Sequence, residues 1–273
     1  MADILFAMDT DLAKLQNCLT DTVQQHLMPL FNTVSRQYKH DGSVVTVADK
    51  LMQQTITEVL QRDFPDIKLL GEEMTALEQA ELLGSNDALW CLDPIDGTSN
   101  FAAGMPFFSI SLALIEKGEV TLGLVYDPVM NECFAAKKGA GAWLNGQRLN
   151  AEISGLALNQ TLAIIDFKRL PISLSKRLVE EKPYGSQRSL GSIALELCWL
   201  AAGRAQLYLH GRQQIWDYAA AQLVIQEAGA FACTLDNEPV FSRSLTPRST
   251  CAASDENLFA AWRDYLHVPR SDG

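Results

Sequence analysis

The most informative segment of this chain reads Trp90-Cys91-Leu92-Asp93-Pro94-Ile95-Asp96-Gly97-Thr98-Ser99-Asn100-Phe101. It continues an apolar run over residues 88–92 that is bounded by turn residues, and such a run predicts a buried β-strand. Asp93 and Asp96 then flank a rigid proline turn, so two like charges come close together directly after the strand. Acidic side chains at that position are costly unless water or a cation neutralises them. The segment therefore predicts either a solvated turn or a cation site.

Carboxylates follow predicted element boundaries at two further places. Gly71-Glu72-Glu73 comes directly after a predicted strand over residues 67–70, and Trp216-Asp217 opens a predicted helix over residues 216–228. Each could be an ordinary turn or a helix N-cap, for which aspartate is a standard choice. That explanation is preferable for any single cluster, but three such clusters together favour a bound cation.

A hard divalent cation suits these carboxylates. Mg²⁺ binds oxygen ligands at about 2.0–2.1 Å, keeps several waters, and often uses one or two carboxylates together with a substrate phosphate. Asp93 can bridge two ions, with Asp96 and the Ile95 carbonyl as further ligands. Gly97 and Thr98 begin a helical turn whose free backbone N–H groups would hold a phosphate. The sequence thus predicts that an anionic substrate binds through metal ions and amides.

Composition limits the classes of protein to which the chain can belong. The 273 residues carry a formal net charge of −11 with a pI near 4.8, and 48% of them are hydrophobic. These values indicate a globular protein and argue against a basic groove, so we expect neither nucleic acid nor a membrane as a partner. Asp3, Asp9, Asp11 and Asp21 argue against a signal peptide, and no apolar run approaches the roughly 20 residues that span a bilayer. We therefore expect a cytoplasmic protein whose scattered cysteines stay reduced.

The periodicity of the apolar residues predicts a layered α/β protein. Helices are predicted over residues 11–31, 46–60, 174–180, 191–202, 216–228 and 256–266. Strands are predicted over residues 67–70, 88–92, 109–115, 120–126, 133–136, 161–165 and 206–209. Residues 1–150 are predicted to form an α+β half that carries most of the metal ligands, and residues 151–273 an α/β half that contributes Asp217 and the substrate rim. No linker rich in Pro, Gly or Ser separates the halves, so we expect one cooperative unit.

The three acidic segments, in this order, resemble the signatures of the inositol monophosphatase family. They are Gly71-Glu72-Glu73, the segment from Trp90 to Phe101, and Trp216-Asp217-Tyr218-Ala219-Ala220. The likeness extends through nearly the whole chain, including Gly191-Ser192-Ile193-Ala194. It implies a layered α-β-α-β-α sandwich of the sugar-phosphatase type. It also implies a magnesium-dependent, lithium-sensitive phosphatase that is usually a homodimer.

Carried over residue by residue, the resemblance implies a set of metal ligands. Glu72, Asp93 and the Ile95 carbonyl would hold one ion, and Asp93, Asp96 and Asp217 would hold a second, with two or three Mg²⁺ ions in all. Hydrolysis of a phosphate ester needs relief of charge on both the attacking and the departing oxygen, which a pair of metal ions supplies. No histidine base is then required.

The resemblance also implies the catalytic groups and the substrate contacts. Glu72 would orient the attacking water, and Thr98 would help to deprotonate it, with the threonine hydroxyl polarised by Asp49. Glu73 matches the motif but is more often a neighbour of the metal than a ligand. The substrate contacts would be Asp96, Gly97, Thr98, Gly191, Ser192, Ile193, His210 and Asp217.

His210 is the main departure from the family pattern. Family members typically have glutamate at this position, where it contacts hydroxyls of the sugar alcohol. A histidine could contact a hydroxyl, stack on a base or carry charge towards a second phosphate, or it could be a solvated loop residue without a role. Arg212, Arg188, Lys168 and Arg169 are predicted in loops near the rim of the site. Each is either an ordinary surface charge or a contact for an additional phosphate.

The predicted function is magnesium-dependent hydrolysis of a small-molecule phosphomonoester, with an inositol monophosphate as the leading substrate. The enzymatic alternatives are an adenosine 3′,5′-bisphosphate 3′-phosphatase and a fructose-1,6-bisphosphatase. The alternative outside the enzymes is a regulatory protein with a vestigial site. The presence of a complete set of functional residues disfavours that alternative, and the set comprises Asp49, Glu72, Asp93, Asp96, Thr98 and Asp217.

Overall fold

Helices and strands alternate along most of the chain. A computed structural model describes residues 10–39 and 44–269. The helices are α1 (Thr10–His26), α2 (Val47–Asp63), α3 (Ala76–Gly84), α4 (Thr98–Ala103), α5 (Ile172–Glu181), α6 (Ile193–Ala201), α7 (Ile215–Ala228) and α8 (Glu256–Leu266). The strands are β1 (Gln37–Tyr38), β2 (Val44–Val45), β3 (Lys68–Gly71), β4 (Leu89–Asp96), β5 (Ser109–Glu116), β6 (Glu119–Asp127), β7 (Glu132–Lys137), β8 (Gly141–Leu144), β9 (Gln147–Leu149), β10 (Leu162–Asp166), β11 (Ser186–Arg188), β12 (Leu207–Gln213), β13 (Phe231–Cys233) and β14 (Arg248–Ala253). Single 3₁₀ turns cover Met28–Leu30, Leu158–Gln160 and Phe167–Arg169.

Two large sheets organise these strands. Strands β3 to β9 form a seven-stranded sheet in chain order, in which only the β3–β4 pair is parallel. The five-stranded sheet has the order β11-β10-β12-β14-β13, with β10 parallel to both of its neighbours. Strands β1 and β2 form a short antiparallel pair.

The helices lie in three layers around these sheets. Helices α1 and α2 pack on one face of the seven-stranded sheet. Helices α6 and α7 fill the space between the two sheets, and α8 covers the outer face of the five-stranded sheet together with Leu178 of α5. This order confirms the predicted α-β-α-β-α sandwich. No helix within the described residues is long and apolar enough to cross a membrane. The predicted absence of a signal peptide rests partly on residues 1–9, which lie outside the described part.

Local sequence explains where the first helices begin and end. Helix α1 ends before the predicted residue 31, because Pro29 enters the following 3₁₀ turn and has no N–H to continue the helix. Helix α2 begins with a capping box, in which Thr46 and Asp49 satisfy each other's backbone and side-chain groups. It ends at Asp63, just before Phe64 and Pro65.

The sequence patterns do not reveal several elements. Helix α3 is not among the predicted helices, although Thr75 and Glu78 form a capping box at its start. Strands β8, β9, β11 and β13 are each no longer than four residues. Strand β14 consists mainly of small and polar residues, so it lacks the alternation by which a strand is recognised.

Candidate active site

Strand β4 carries two of the predicted ligands in its last part. Its pairing with β5 shifts register between Asp93 and Asp96, where Pro94 has no N–H to offer the ladder. The N–H of Ile95 donates instead to Asp93 Oδ1 at 3.0 Å. Both carboxylates therefore belong to the irregular end of a fully buried strand, and the predicted turn after residue 92 is wrong.

Glu72 reaches the same edge of the sheet from β3. Parallel pairing of β3 with β4 places the segment after β3 next to Asp93. Lys39 Nζ lies 2.7 Å from Glu72 Oε1 and 2.6 Å from Glu73 Oε1. Burial raises the pKa of Glu72 to about 7, and the positive charge of Lys39 opposes the rise. A cationic group thus already lies against this pair of carboxylates.

Helix α7 supplies the third acidic group. Asp217 lies in its first turn, where the carboxylate accepts a hydrogen bond from the N–H of Gln214 at 2.7 Å. The hydroxyl of Ser111 on β5 donates to the carbonyl of Trp216 at 3.0 Å, which fixes the start of α7 on the seven-stranded sheet. Burial raises the pKa of Asp217 well above its usual range, and the neighbouring carboxylates add to the rise.

Asp93 is the electrostatic centre of this group. Burial raises its pKa well above the usual range, and the carboxylates of Glu72, Asp96, Asp217 and Asp49 raise it further. Acids influence one another in this way when they lie close together in a medium of low dielectric constant. A divalent cation would relieve the repulsion, and the oxygen-only donor set suits Mg²⁺ or another hard ion.

The carboxylates are not arranged as a closed cage. Within residues 10–39 and 44–269, no three or more His, Cys, Asp or Glu side chains converge as a group that could hold a metal ion. Glu72 is engaged by Lys39, and Asp96 by the start of α6. The fit of the site to a metal ion therefore rests on the chemistry of its donors and on their crowded negative charge.

Asp49 and Thr98 form a hydrogen-bonded pair, as predicted. Thr98 Oγ1 lies 2.9 Å from Asp49 Oδ1 and 2.9 Å from the carbonyl oxygen of Ile95. Gly97 precedes Thr98 with φ +96°, and a Cβ atom there would lie 3.1 Å from the carbonyl oxygen of Gly191. Both the backbone conformation and the close approach require glycine. The turn that begins α4 is thereby held against the loop before α6.

Asp96 binds the start of α6. Its Oδ2 accepts hydrogen bonds from Ser192 Oγ and from the N–H of Ala194, both at 2.7 Å, and its Oδ1 accepts from the N–H of Ile193 at 3.1 Å. Burial raises the pKa of Asp96 to about 6, although these hydrogen bonds oppose the rise. The structure thus brings the predicted substrate contacts at residues 191–193 to a predicted metal ligand.

His210 lies inside β12 and is buried, with 3% of its surface exposed. Its Nε2 is 3.3 Å from Asp166 Oδ2, and its Nδ1 accepts a hydrogen bond from the N–H of Arg212 at 3.2 Å. The ring also stacks on Tyr208, with centroids 6.4 Å apart. The alternative of a solvated loop histidine is therefore wrong, because the strand continues to Gln213. Contact between His210 and a substrate stays a prediction.

Three residues near the site were not predicted from the sequence: Lys39, Asp166 and Glu196. Lys39 and Asp166 have no motif of their own. Glu196 is buried in α6 and accepts hydrogen bonds from the N–H groups of Leu190 and Gly191, both at 2.8 Å. Burial raises the pKa of Glu196 to about 8. The signal that could have revealed it is a single acid within the otherwise apolar helix α6.

Comparisons with known proteins agree with this geometry. The family model described as "Inositol monophosphatase family" matches residues 8–267. The chain is 36% identical to the Nus factor SuhB of Pasteurella multocida over 201 residues, which cover 71% of this chain and 73% of that protein. It is 35% identical to the inositol-1-monophosphatase of Bacillus subtilis over 233 residues, which cover 83% of this chain and 85% of that protein. The solved structure of an IMPase from Thermotoga maritima superposes with a TM-score of 0.80 at 29% identity, covering 94% of this chain and 98% of the other. The match along nearly the whole sequence, together with the shared fold, shows that this chain belongs to the inositol monophosphatase family.

Proposed function

We propose that this chain is a magnesium-dependent phosphatase that hydrolyses a small-molecule phosphomonoester, with an inositol monophosphate as the leading substrate. Membership of the family supports a phosphatase. The observation that carries the proposal is the mutual repulsion of four carboxylates from separate parts of the chain: Asp93 and Asp96, which are buried, and Glu72 and Asp217, which are half-buried. Carboxylates whose pKa values are strongly perturbed by one another often mark a functional site, and cations bound between them would offset their repulsion.

The donor atoms named above would hold two or three Mg²⁺ ions. Glu72, Asp93 and the Ile95 carbonyl would bind one ion, and Asp96 and Asp217 would join Asp93 around another. When bound, the ions would supply positive charge for the phosphoryl oxygens and lower the pKa of the attacking water.

The chain's own groups would position the reactants and move the proton. The Thr98 hydroxyl can take a proton from water while passing its own to Asp49, to which it is hydrogen-bonded. Burial raises the pKa of Asp49, so this carboxylate accepts a proton more readily than an exposed aspartate. The N–H groups of Gly97 and Thr98 would bind phosphoryl oxygens. On the substrate side we propose Gly191, Ser192, Ile193 and His210 as contacts of the leaving group.

A phosphate-release assay tests this proposal. Release from inositol 1-phosphate should stop in excess chelator and return with added Mg²⁺, and Asp93→Asn should abolish it. Asp63→Asn is a suitable control, because this exposed carboxylate pairs with Arg62 at the end of α2. Turnover that survives rigorous removal of metal would contradict the proposal.

A regulatory role is the second candidate, since relatives such as the one from Pasteurella multocida carry the name Nus factor. The complete set of catalytic residues favours the enzyme. The decisive measurement is phosphate release from a panel of inositol 1-phosphate, adenosine 3′,5′-bisphosphate, fructose 1,6-bisphosphate and histidinol phosphate. Folded protein that binds Mg²⁺ but releases phosphate from none of them would favour the regulatory role.

The remaining properties that we propose concern assembly and inhibition. We propose a cytoplasmic homodimer that Li⁺ inhibits and whose halves, residues 1–150 and 151–273, unfold as one cooperative unit. Light scattering would measure the dimer, and the phosphate-release assay would measure inhibition by Li⁺. Urea unfolding followed by two spectroscopic probes should give one coincident transition. Two separate transitions would contradict the single unit.

A further inference from the structure

Strand pairing brings together two cysteines that are well separated in the sequence. Cys233, the last residue of β13, lies directly opposite Cys251 of β14 in the antiparallel pair. Residues that face each other in such a pair have Cα atoms about 4.5–5.5 Å apart, and disulfides form across Cα separations of about 4.4–6.8 Å. Both residues are free cysteines. The backbone at this position therefore suits a disulfide.

Both thiols lie on the outer face of the five-stranded sheet, beneath α8. They belong to one apolar cluster, in which Trp262 and Leu266 of α8 pack on the sheet. Cys251 is fully buried, whereas 7% of the surface of Cys233 is exposed. Strand β13 is also the edge strand of its sheet. Cys233 is therefore the member of the pair that a small molecule can reach from solution.

A positive charge lies on the same face of the sheet. Phe231 precedes Cys233 by two residues, so both side chains share one face of β13. The ring of Phe231 stacks on Phe259 of α8 with centroids 5.9 Å apart, and the guanidinium of Arg263 lies 5.4 Å from the centroid of the Phe259 ring. Among the residues that the structure describes, Arg263 Nε is buried without a hydrogen-bond partner. An arginine in this position favours a neighbouring thiolate.

The two thiols differ in how readily they ionise. A hydrogen bond from the Cys251 thiol lowers the pKa of Cys233, burial opposes the decrease, and the charge of Arg263 adds to it. Burial raises the pKa of Cys251 well above its usual range. The thiolate is the reactive form of cysteine, so Cys233 is the more reactive of the two. The pair thus contains one attacking and one resolving cysteine.

We propose that Cys233 and Cys251 form a reversible disulfide when the protein meets hydrogen peroxide, and that Cys233 is oxidised first. This inference goes beyond the proposed phosphatase activity and does not depend on it. Hydrogen peroxide is small enough to reach a thiol that is almost covered. In the absence of an oxidant, both cysteines stay reduced.

The reaction takes place in two balanced steps. The thiolate of Cys233 attacks one oxygen of hydrogen peroxide, the O–O bond breaks, and the departing hydroxide takes up the proton that the thiol released. This step leaves a sulfenic acid on Cys233 and one molecule of water. The sulfur of Cys251 then attacks the sulfenic sulfur, so that the S–S bond forms as the S–O bond breaks. The departing hydroxide takes the proton of the Cys251 thiol and becomes a second water.

Oxidation of the purified full chain with hydrogen peroxide, followed by alkylation under denaturing conditions and mass spectrometry, tests the proposal. Two of the six cysteines should become protected from alkylation, and peptide mapping should join Cys233 to Cys251. Dithiothreitol should restore alkylation of all six by thiol–disulfide exchange. Six alkylated cysteines after oxidation, or a disulfide that joins any other pair, would overturn the proposal.

The order of oxidation separates thiol reactivity from exposure. Cys18 of α1 is half-buried and hence more exposed than Cys233. If exposure alone determined the rate, Cys18 would be oxidised first, whereas the proposed pair requires that Cys233 reacts first. Faster oxidation of Cys18 than of Cys233 in the wild type would overturn the proposal.

Variants assign the two roles. In Cys251→Ser the sulfenic acid on Cys233 has no resolving thiol, so dimedone should label Cys233 there and not in the wild type. Cys18→Ser is the matched control and should still form the disulfide. A folded Cys251→Ser variant whose Cys233 stays unlabelled would contradict the proposal, and the wild-type measurements decide if that variant does not fold. No readout uses phosphate release, so failure of the phosphatase proposal is distinguishable.

Discussion

Without metal, the Asp96→Asn variant should be less stable than the wild type at low pH and equally or more stable at high pH. Folding raises the pKa of Asp96 from 3.8 to about 6. A carboxyl group whose pKa is raised favours the folded state at low pH, and that stabilisation is lost as the pH rises from about 4 through 6. The difference of roughly two pKa units corresponds to about 3 kcal/mol. Asparagine does not ionise, so the variant escapes this loss.

Lost hydrogen bonds act in the opposite direction at every pH. Asparagine keeps one acceptor oxygen for the donors at Ser192 and Ala194, but its NH₂ group would face the N–H of Ile193. An unsatisfied buried donor costs about 1–3 kcal/mol. We therefore expect Asp96→Asn to be less stable than the wild type by that amount at pH 4, and equally or more stable at pH 8. Phosphate release should be lost at any pH, because Asp96 is one of the proposed metal ligands.

Urea unfolding in excess chelator between pH 4 and pH 8, followed by tryptophan fluorescence, measures the difference. Asp63→Asn serves as the control, since Arg62 holds the pKa of this exposed carboxyl below its usual range. The control should show no reversal. If the free-energy difference between Asp96→Asn and wild type stayed constant across this pH range, burial would not be what raises the pKa of Asp96. The electrostatic account of the site would then be refuted.

Three further substitutions probe single contacts. Thr98→Val should lower kcat by about a hundredfold or more, the usual worth of a proton-transfer group, while Thr98→Ser retains most activity in the phosphate-release assay. Lys39→Gln removes the charge that opposes the raised pKa of Glu72. In metal-free protein, the variant should therefore lose more stability than the wild type as the pH rises from 6 to 9, measured by urea midpoints. A pH profile of stability equal to that of the wild type would contradict the ion pair. Gly97→Ala should lower the melting temperature more than Gly118→Ala, because both glycines have positive φ but only at Gly97 would a Cβ atom meet neighbouring atoms within 4 Å. Equal losses in calorimetry would show that backbone strain alone matters.

Local patterns predict the parts of the fold and site that depend on nearby residues. The capping box at Thr46 and the carboxylates at the ends of β3 and β4 are visible in sequence, because each involves residues within a few positions of one another. The pairing of Asp49 with Thr98 was predicted only through the family resemblance. The layered architecture followed from both sources.

Contacts between distant segments explain what the sequence did not reveal. Asp96 and Ala194 are 98 positions apart, so no local sequence pattern predicts that the Asp96 carboxylate accepts hydrogen bonds from the start of α6. The pairing of His210 with Asp166 likewise depends on parallel pairing of β10 with β12. Strand β14 is hidden for a different reason, since its small residues are buried by their place in the sheet and not by their own hydrophobicity.

The start of each of four helices, α2, α4, α6 and α7, meets the proposed site through Asp49, Thr98, Ile193 and Asp217. Each helix presents the positive end of its macrodipole there, equivalent to roughly half an elementary charge for a full-length helix. This fixed partial charge accompanies the carboxylates even when no ion is bound. We therefore expect a chelator to abolish the proposed phosphatase activity reversibly, while the metal-free chain stays folded.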